Sequence, residues 1–410
     1  MFDKLKKNKP DSILIIGAGI LQIPAIKIAQ KMGLYVICTD RNSQAPGFDY
    51  CDKKIILNTK DVKGHKILVK KLSKKYNICS VFTQGTDVAI VVAEICRVLK
   101  LPSVSVRAAK NTNNKIKFRK CLKKNGIDNI KFGVAKTEKG TFSIIKKIGL
   151  PVIIKSIDNS AGRGAKKISH IDEIPDAFKI AQFYSSDKKT VLIEEWLDGY
   201  EYSVETIQFR NKSFRLGIAD RIFGFKPYLI ELGHINPSQL DKKSQIKLYQ
   251  LTERTAKAVG IDFGAAKADA IITKDGRFII LEMAARLSGG FHSQYTTPYA
   301  TGMNVIKAAM DISLGKKIDK NDVIKTRNKT VYCISVFPNK GKVTKITGLN
   351  TIKKMNGIRN VFITIKKGDF IKSHKNSADR VAYIIAEGNS LLEAKKCAEQ
   401  AIKKLHIITH

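Results

Sequence analysis

SILIIGAGI, at Ser12–Ile20, is a β-branched apolar run that breaks into Gly-x-Gly, and LQIPAIKIAQKMG behind it is apolar at helical spacing as far as Gly33. LYVICTD then makes a second strand ending in Asp40, KKIILN a third, and GHKILVKKLSKKYN a helix. ICSVFTQGTD follows as a strand and turn, and VAIVVAEICRVLKL as a helix halted by Pro102. Strands that alternate with helices at this spacing pair in parallel and are joined by right-handed crossovers. Residues 1–112 therefore read as a Rossmann-like α/β domain.

The rhythm changes from NKIKFRKCLKKNGI onward. Apolar runs now come as antiparallel pairs: PVIIKSID with GAKKISH, then TVLIEEWL with EYSVETIQF. The helix KKSQIKLYQLTERTAKAVGI follows, and then AKADAIITKDGRFIILEMAAR, two strands around a Lys274–Asp275–Gly276 turn. GMNVIKAAMDISLG closes this second unit, residues 113–315. A charged linker leads to a third unit, residues 326–410, rich in strands and ending in the amphipathic helix SLLEAKKCAEQAIKKL. Three units suit 410 residues, more than one hydrophobic core usually spans.

A hydrophobic fraction of 43% supports ordinary globular cores, and no apolar run approaches the ~20 residues that cross a bilayer. The basic start, MFDKLKKNKPDS, leads into no signal-peptide core, so a cytoplasmic location is expected. Seven cysteines, an odd number with no C-x-x-C pair, argue against a disulfide framework or a zinc site. The net charge of +38 is carried by lysines spread along the chain, with Trp196 the only tryptophan and no stacking motif for bases. No specific nucleic-acid partner is expected, only salt-sensitive association.

GAGILQIP with Asp40 some twenty residues on has the outline of a dinucleotide fingerprint, but Gln22 stands where its third glycine belongs. Gly17 and Gly19 then serve the turn from strand into helix, with anion binding at that helix start a second role.

A later constellation carries more chemistry. Lys155 ends the run VIIK, and Ser160, Gly162 and Gly164 follow in a small, flexible loop. That suits a phosphate clamp; a hairpin with a solvated lysine is the plain alternative. Glu194, Glu195 and Leu197 close another strand, whose backbone can meet an adenine edge, and Glu201 can accept ribose hydroxyls. Asp269 and Glu282 lie on the two arms of one hairpin, hard oxygen ligands suited to Mg²⁺. Arg286 can stabilise developing negative charge, and Gly289 and Gly290 can offer N–H groups to a carboxylate. Each alone is an ordinary surface residue; their order is what carries information. There is no G-x-x-x-x-G-K-[ST], H-E-x-x-H or G-x-S-x-G.

That order resembles the ATP-grasp superfamily of carboxylate–amine ligases, in its biotin carboxylase-like and L-amino-acid-ligase-like members, over nearly the whole chain. The resemblance implies an α/β and α+β protein: a Rossmann-like pre-ATP-grasp domain, an ATP-grasp fold with a flexible small lobe over about 150–200, and a small C-terminal α+β domain. It implies ATP with Mg²⁺ (or Mn²⁺), Lys115 and Lys155 on the phosphates, and Ser160 to Gly164 as the closing loop. Glu194, Glu195 and Leu197 become the adenine hinge, Glu201 the ribose carboxylate, Asp269 and Glu282 the metal ligands, and Arg286 the catalytic arginine. Two positions depart from the pattern. Ala284 replaces a common asparagine ligand, and Lys267 stands where many relatives have His or Arg, to contact substrate or as a plain strand charge. The substrate pocket falls between RLSGGFHSQY and IELGHINPSQL, with Glu231 for an amino group and His234 to orient a carboxylate or act as a base. The implied partners are a small carboxylate and an amine, joined through an acyl phosphate, with a homodimer left open. A bicarbonate-activating carboxylase and a non-catalytic nucleotide-binding protein are the alternatives.

Overall fold

The computed structural model describes residues 9–128, 130–225 and 228–410; most of the basic N-terminal stretch lies outside them. β1 (Asp11–Ile16), β2 (Tyr35–Asp40), β3 (Lys53–Ile56) and β4 (Asn77–Phe82) form a parallel sheet in the order β3-β2-β1-β4. Ile13 to Ile16 are all fully buried, because crossover helices cover both faces of such a sheet. After β1 the chain turns at Gly17, with φ 101°. The Ala18 N–H donates to Asp40 Oδ2 at 2.9 Å, and the Gly47 N–H to Ala18 O at 2.7 Å. Asp40 thus fills the turn that a dinucleotide pyrophosphate would need, and the glycines there serve chain reversal.

The small lobe is an antiparallel sheet of β5 (Phe132–Ala135), β6 (Val152–Ser156), β7 (Ala165–Ile168) and β8 (Val191–Glu195), in the order β5-β8-β6-β7. Helices Glu138–Ile148 and Ile174–Tyr184 pack on its apolar face through Ile145, Ile174 and Phe178. The larger sheet takes β9 (Gly199–Phe209), β10 (Lys212–Gly224), β11 (Ile230–Asn236), β12 (Phe263–Thr273), β13 (Phe278–Ala284) and β14 (Thr330–Val336). β15 (Gly341–Thr347), β16 (Ile358–Ile363), β17 (Phe370–Ile371), β18 (Ala382–Gly388) and β19 (His406–Thr409) complete the chain. The large sheet runs β13-β12-β9-β10-β11-β14-β18-β16, so strands of the C-terminal segment extend it through the β11–β14 pairing. Among the described residues no helix is long and apolar enough to cross a membrane.

Two expectations fail here. TVLIEEWL and EYSVETIQF are not a hairpin: β8 pairs with β5 and β6, whereas β9 pairs with β10 and β12. Between them the Trp196 N–H donates to Pro151 O at 3.0 Å, and Leu197 is buried with Ile130, Ile271 and Ile279. The joint is anchored as a crossing between sheets rather than freed to turn. The chain also does not end in its last helix, Leu391–Lys404, because β19 follows and pairs with β15.

The two sheets are tied by Arg119, on the helix Lys115–Lys124 that Asn114 caps. Arg119 is 1% exposed; Nε meets Glu194 at 2.5 Å and Nη1 meets Asp128 at 2.9 Å. Its guanidinium also donates to the carbonyls of Ile280 and Leu281 at 2.9 and 2.8 Å. Removing one member of a buried ionic set leaves the others uncompensated, so Arg119→Met is expected to cost about 3–5 kcal/mol of stability. Equilibrium urea unfolding checks this, and a loss under ~1 kcal/mol would remove Arg119 as the tie between the sheets.

Candidate active site

The centre of the cleft is the β12–β13 hairpin. Its register sets Asp269 opposite Glu282 and Lys267 opposite Ala284. Directly opposed side chains share one face of a sheet, so the two carboxylates would repel unless cations intervene. They do. Lys267 Nζ and Arg221 Nη1 bond Asp269, the latter at 2.9 Å, and Lys115 Nζ lies 2.8 Å from Glu282. Partial desolvation in the cleft would raise the Glu282 carboxyl, but Lys115 and Lys267 more than offset it and hold it well below the usual range. Asp269 and Glu282 therefore converge with Lys115 and Lys267.

The small lobe supplies the other wall. Lys155 Nζ, at the end of β6, lies 2.7 Å from Glu194 Oε2. Burial would raise Glu194, but Arg119 and Lys155 hold it at about 2. Its side chain is thus committed to cations, leaving any adenine contact at this position to the backbone. Glu195 Oε1 accepts the Lys131 N–H at 3.1 Å. Lys115 also donates to Asn159 O at 2.9 Å, at the start of the Ser160–Gly164 loop. In that loop Gly162 and Gly164 both have φ 75°. A Cβ on Gly164 would meet Tyr184 Cβ at 2.8 Å, so only glycine fits there. Ser160 Oγ accepts from Arg163 Nη2 at 3.2 Å, and the Ser377 N–H donates to Ala161 O at 3.1 Å.

Glu201 pairs with Arg221 Nη1 at 2.8 Å. Burial raises its carboxyl, Arg221 opposes, and Asp269 and Glu231 add to the rise, giving about 7. Glu231 lies 3.2 Å from Arg221 and 3.9 Å from Arg380; burial is again outweighed, and it stays ionised. His234 is 2% exposed, shares a hydrogen bond with Thr296 Oγ1 at 3.0 Å, and is pushed by burial down to about 4. A ring that neutral suits orienting a ligand rather than carrying a proton. Gly290 has φ 62°, and Glu205 holds the neighbouring turn by accepting from the Ser288 N–H and Ser293 Oγ, both at 2.6 Å.

Three residues were missed from the sequence. Arg221 bridges Glu201, Glu231 and Asp269; in the sequence it is one of two adjacent charges, with Asp220, ahead of the apolar IFGF, and nothing local marks it. Asp87 receives Arg286 Nε at 2.8 Å and Nη2 at 2.5 Å, and lies just past the C-terminal end of β4, where open α/β sheets place ligand-facing groups. His292 stacks on His234 with centroids 3.5 Å apart, and begins a single π turn, His292–Thr296. Donor atoms of Glu231, His234 and His292 lie within 4.8 Å of one another. Two guanidiniums already face Glu231 and the rings stack face to face, so this set suits a polar organic ligand better than a metal ion. Asp269 and Glu282, by contrast, are opposed hard-oxygen donors with lysines alongside for phosphates. They fit a magnesium nucleotide, while Ala284 contributes no oxygen.

The family described as carbamoyl-phosphate synthase L chain, ATP binding domain, matches residues 114–321, just over half of the sequence. The chain belongs to that family. With it comes the ATP-grasp fold, and the chain is an ATP-dependent carboxylate–amine ligase. Residues 334–410 match the L-amino acid ligase C-terminal domain 2. An uncharacterized protein, y4rH, of Sinorhizobium fredii is 21% identical over 82% of this chain and 69% of its own length. A formate-dependent phosphoribosylglycinamide formyltransferase of Sulfurisphaera tokodaii is 24% identical over 98% of this chain and 97% of its own. Among solved structures, an L-amino acid ligase from Bacillus licheniformis superposes with a TM-score of 0.83 at 20% identity, over 98% of this chain and 100% of that one. A biotin carboxylase from Campylobacter jejuni gives 0.76 at 19%, over 98% and 92%. This ATP-grasp ligase shares its fold with both.

Proposed function

We propose that the substrate whose carboxylate is activated is an amino acid, and that the product is an amide or peptide bond. A carboxylate oxygen attacks the γ-phosphorus of ATP, the bond to ADP breaks, and an acyl phosphate forms. The amine lone pair then attacks the acyl carbon, the bond to phosphate breaks, and the amine gives up a proton. Lys115 and Lys155 exchange Glu282 and Glu194 for phosphate oxygens, and Glu201 takes the ribose. Asp269 and Glu282 would hold Mg²⁺, which when bound supplies neutralising charge beside the phosphates. Arg286 faces the oxyanion of the second step, and Gly289 and Gly290 hold the carboxylate. Closure of the Ser160–Gly164 loop keeps water from the acyl phosphate.

The observation that carries this reading is the pocket of Glu231, His234 and His292, whose donor atoms lie within 4.8 Å of one another; a substrate ammonium there would exchange with Arg221 or Arg380 on Glu231. It favours an amino acid over bicarbonate, and the match of residues 334–410 supports it. ADP release over amino acids, singly and in pairs, with bicarbonate and formate as further arms, tests it. ADP formed in step with an amide from an amino acid is expected; ADP driven by bicarbonate or formate alone would overturn the substrate class.

Glu201 gives the site a pH dependence. An ionised carboxylate accepts both ribose hydroxyls; a protonated one loses that capacity. KM for ATP is expected to rise as pH falls through about 7. In Glu201→Gln it should be raised throughout and flat with pH. A KM for ATP that is level from acid to alkaline pH in the wild type would remove Glu201 from the nucleotide site.

A further inference from the structure

Asp87 belongs to the N-terminal unit, yet its carboxylate lies in the cleft of the ATP-grasp unit. The loop that carries it follows β4, beside the turn that follows β1, at the point where the strand order of the parallel sheet reverses. Four hydrogen bonds fix this loop. Thr83 Oγ1 donates to Ile16 O at 2.8 Å, the Gln84 N–H donates to Gln22 Oε1 at 3.1 Å, and Gln22 Nε2 donates to Gln84 O and, at 3.1 Å, to Thr86 Oγ1. Gln22, the residue that spoils the dinucleotide fingerprint, is therefore the clamp of the Asp87 loop. The loop meets the glycine turn of the other unit backbone to backbone: a Cβ on Gly85 would stand 3.0 Å from Gly289 Cα.

At the tip, Asp87 Oδ1 receives both Nε and Nη2 of Arg286, while Nη1 donates to Leu287 O at 3.0 Å. Three of the five guanidinium N–H groups are so committed, and the remaining two are left for the reacting group.

We propose that Asp87 is a positioning residue that holds the Arg286 guanidinium toward the reacting carboxyl. The N-terminal unit thereby completes the active site. This rests on the proposed role of Arg286 in the second step.

The test uses the full chain, with the amino-acid substrates that the ADP-release panel identifies. Asp87→Asn keeps the shape and one acceptor but removes the charge. A misplaced catalytic group can cost about 10²-fold, so kcat is expected to fall by roughly 10-fold to 10²-fold, with KM for ATP within about twofold. The ADP-to-amide ratio should rise, because acyl phosphate that waits for Arg286 is lost to water. Asp87→Glu should recover part of the rate and lower the ratio again, and the thermal midpoint should stay near that of the wild type. Wild-type kcat and ratio in Asp87→Asn would overturn the inference while leaving the ligase reading intact. So would a slowed variant whose midpoint drops while the ratio stays put, since that marks a merely structural contact. A wild type that makes ADP but no amide would overturn both.

Discussion

Glu282→Gln is expected to lower kcat/KM for ATP by about 10³-fold, the equivalent of several kcal/mol of lost charge neutralisation. The substitution keeps the volume and one oxygen but removes the charge that makes the residue a hard ligand. It also deprives Lys115 of its 2.8 Å partner, so the lysine stands less well placed for phosphate. Glu282 opens to the cleft from β13, the strand at the end of the large sheet, and its side chain is 42% exposed. The fold should therefore hold, with a stability change within about 0.5 kcal/mol. The check is ADP release across a Mg²⁺ titration, where the variant should need more metal. Wild-type turnover in excess chelator would refute the metal site.

Lys155→Ala should abolish most ATP turnover, by about 10²-fold to 10³-fold, the size expected when one preorganised donor to developing charge is lost. The structure explains why folding should survive. Glu194 loses Lys155 but keeps Arg119 at 2.5 Å, so no buried carboxylate is left without a cation. ADP release measured beside a urea melt separates the two effects. Near-normal turnover would show that the lysine is only a partner for Glu194.

The parts of this site legible in the sequence were those set by local register. The Lys274–Asp275–Gly276 turn and the apolar alternation on both sides of it determine which residue of β12 faces which residue of β13, and Asp269 does face Glu282. The parallel sheet was legible for a similar reason, since a strand followed directly by a helix leaves few ways to pair. The β8–β9 hairpin misled because two neighbouring apolar runs look alike whether they pair with each other or with distant strands. β19 was missed because four residues carry too little periodicity. Arg221, Asp87 and Arg119 look like solvated charges until the fold brings their partners near. Arg286 and Asp87 are 199 positions apart, and Arg119 and Ile280 161. His292 sat inside a segment already read as pocket, with nothing local to show that its ring would stack on His234.

The central claim is that a carboxylate oxygen attacks ATP. The most direct measurement is isotope transfer, using the amino acid that drives ADP release, labelled with ¹⁸O in its carboxylate, together with its amine partner. When the amine displaces phosphate from the acyl group, one carboxylate oxygen leaves with the phosphorus. The account predicts inorganic phosphate that carries one ¹⁸O for every amide formed. Unlabelled phosphate, with amide still produced, would contradict it.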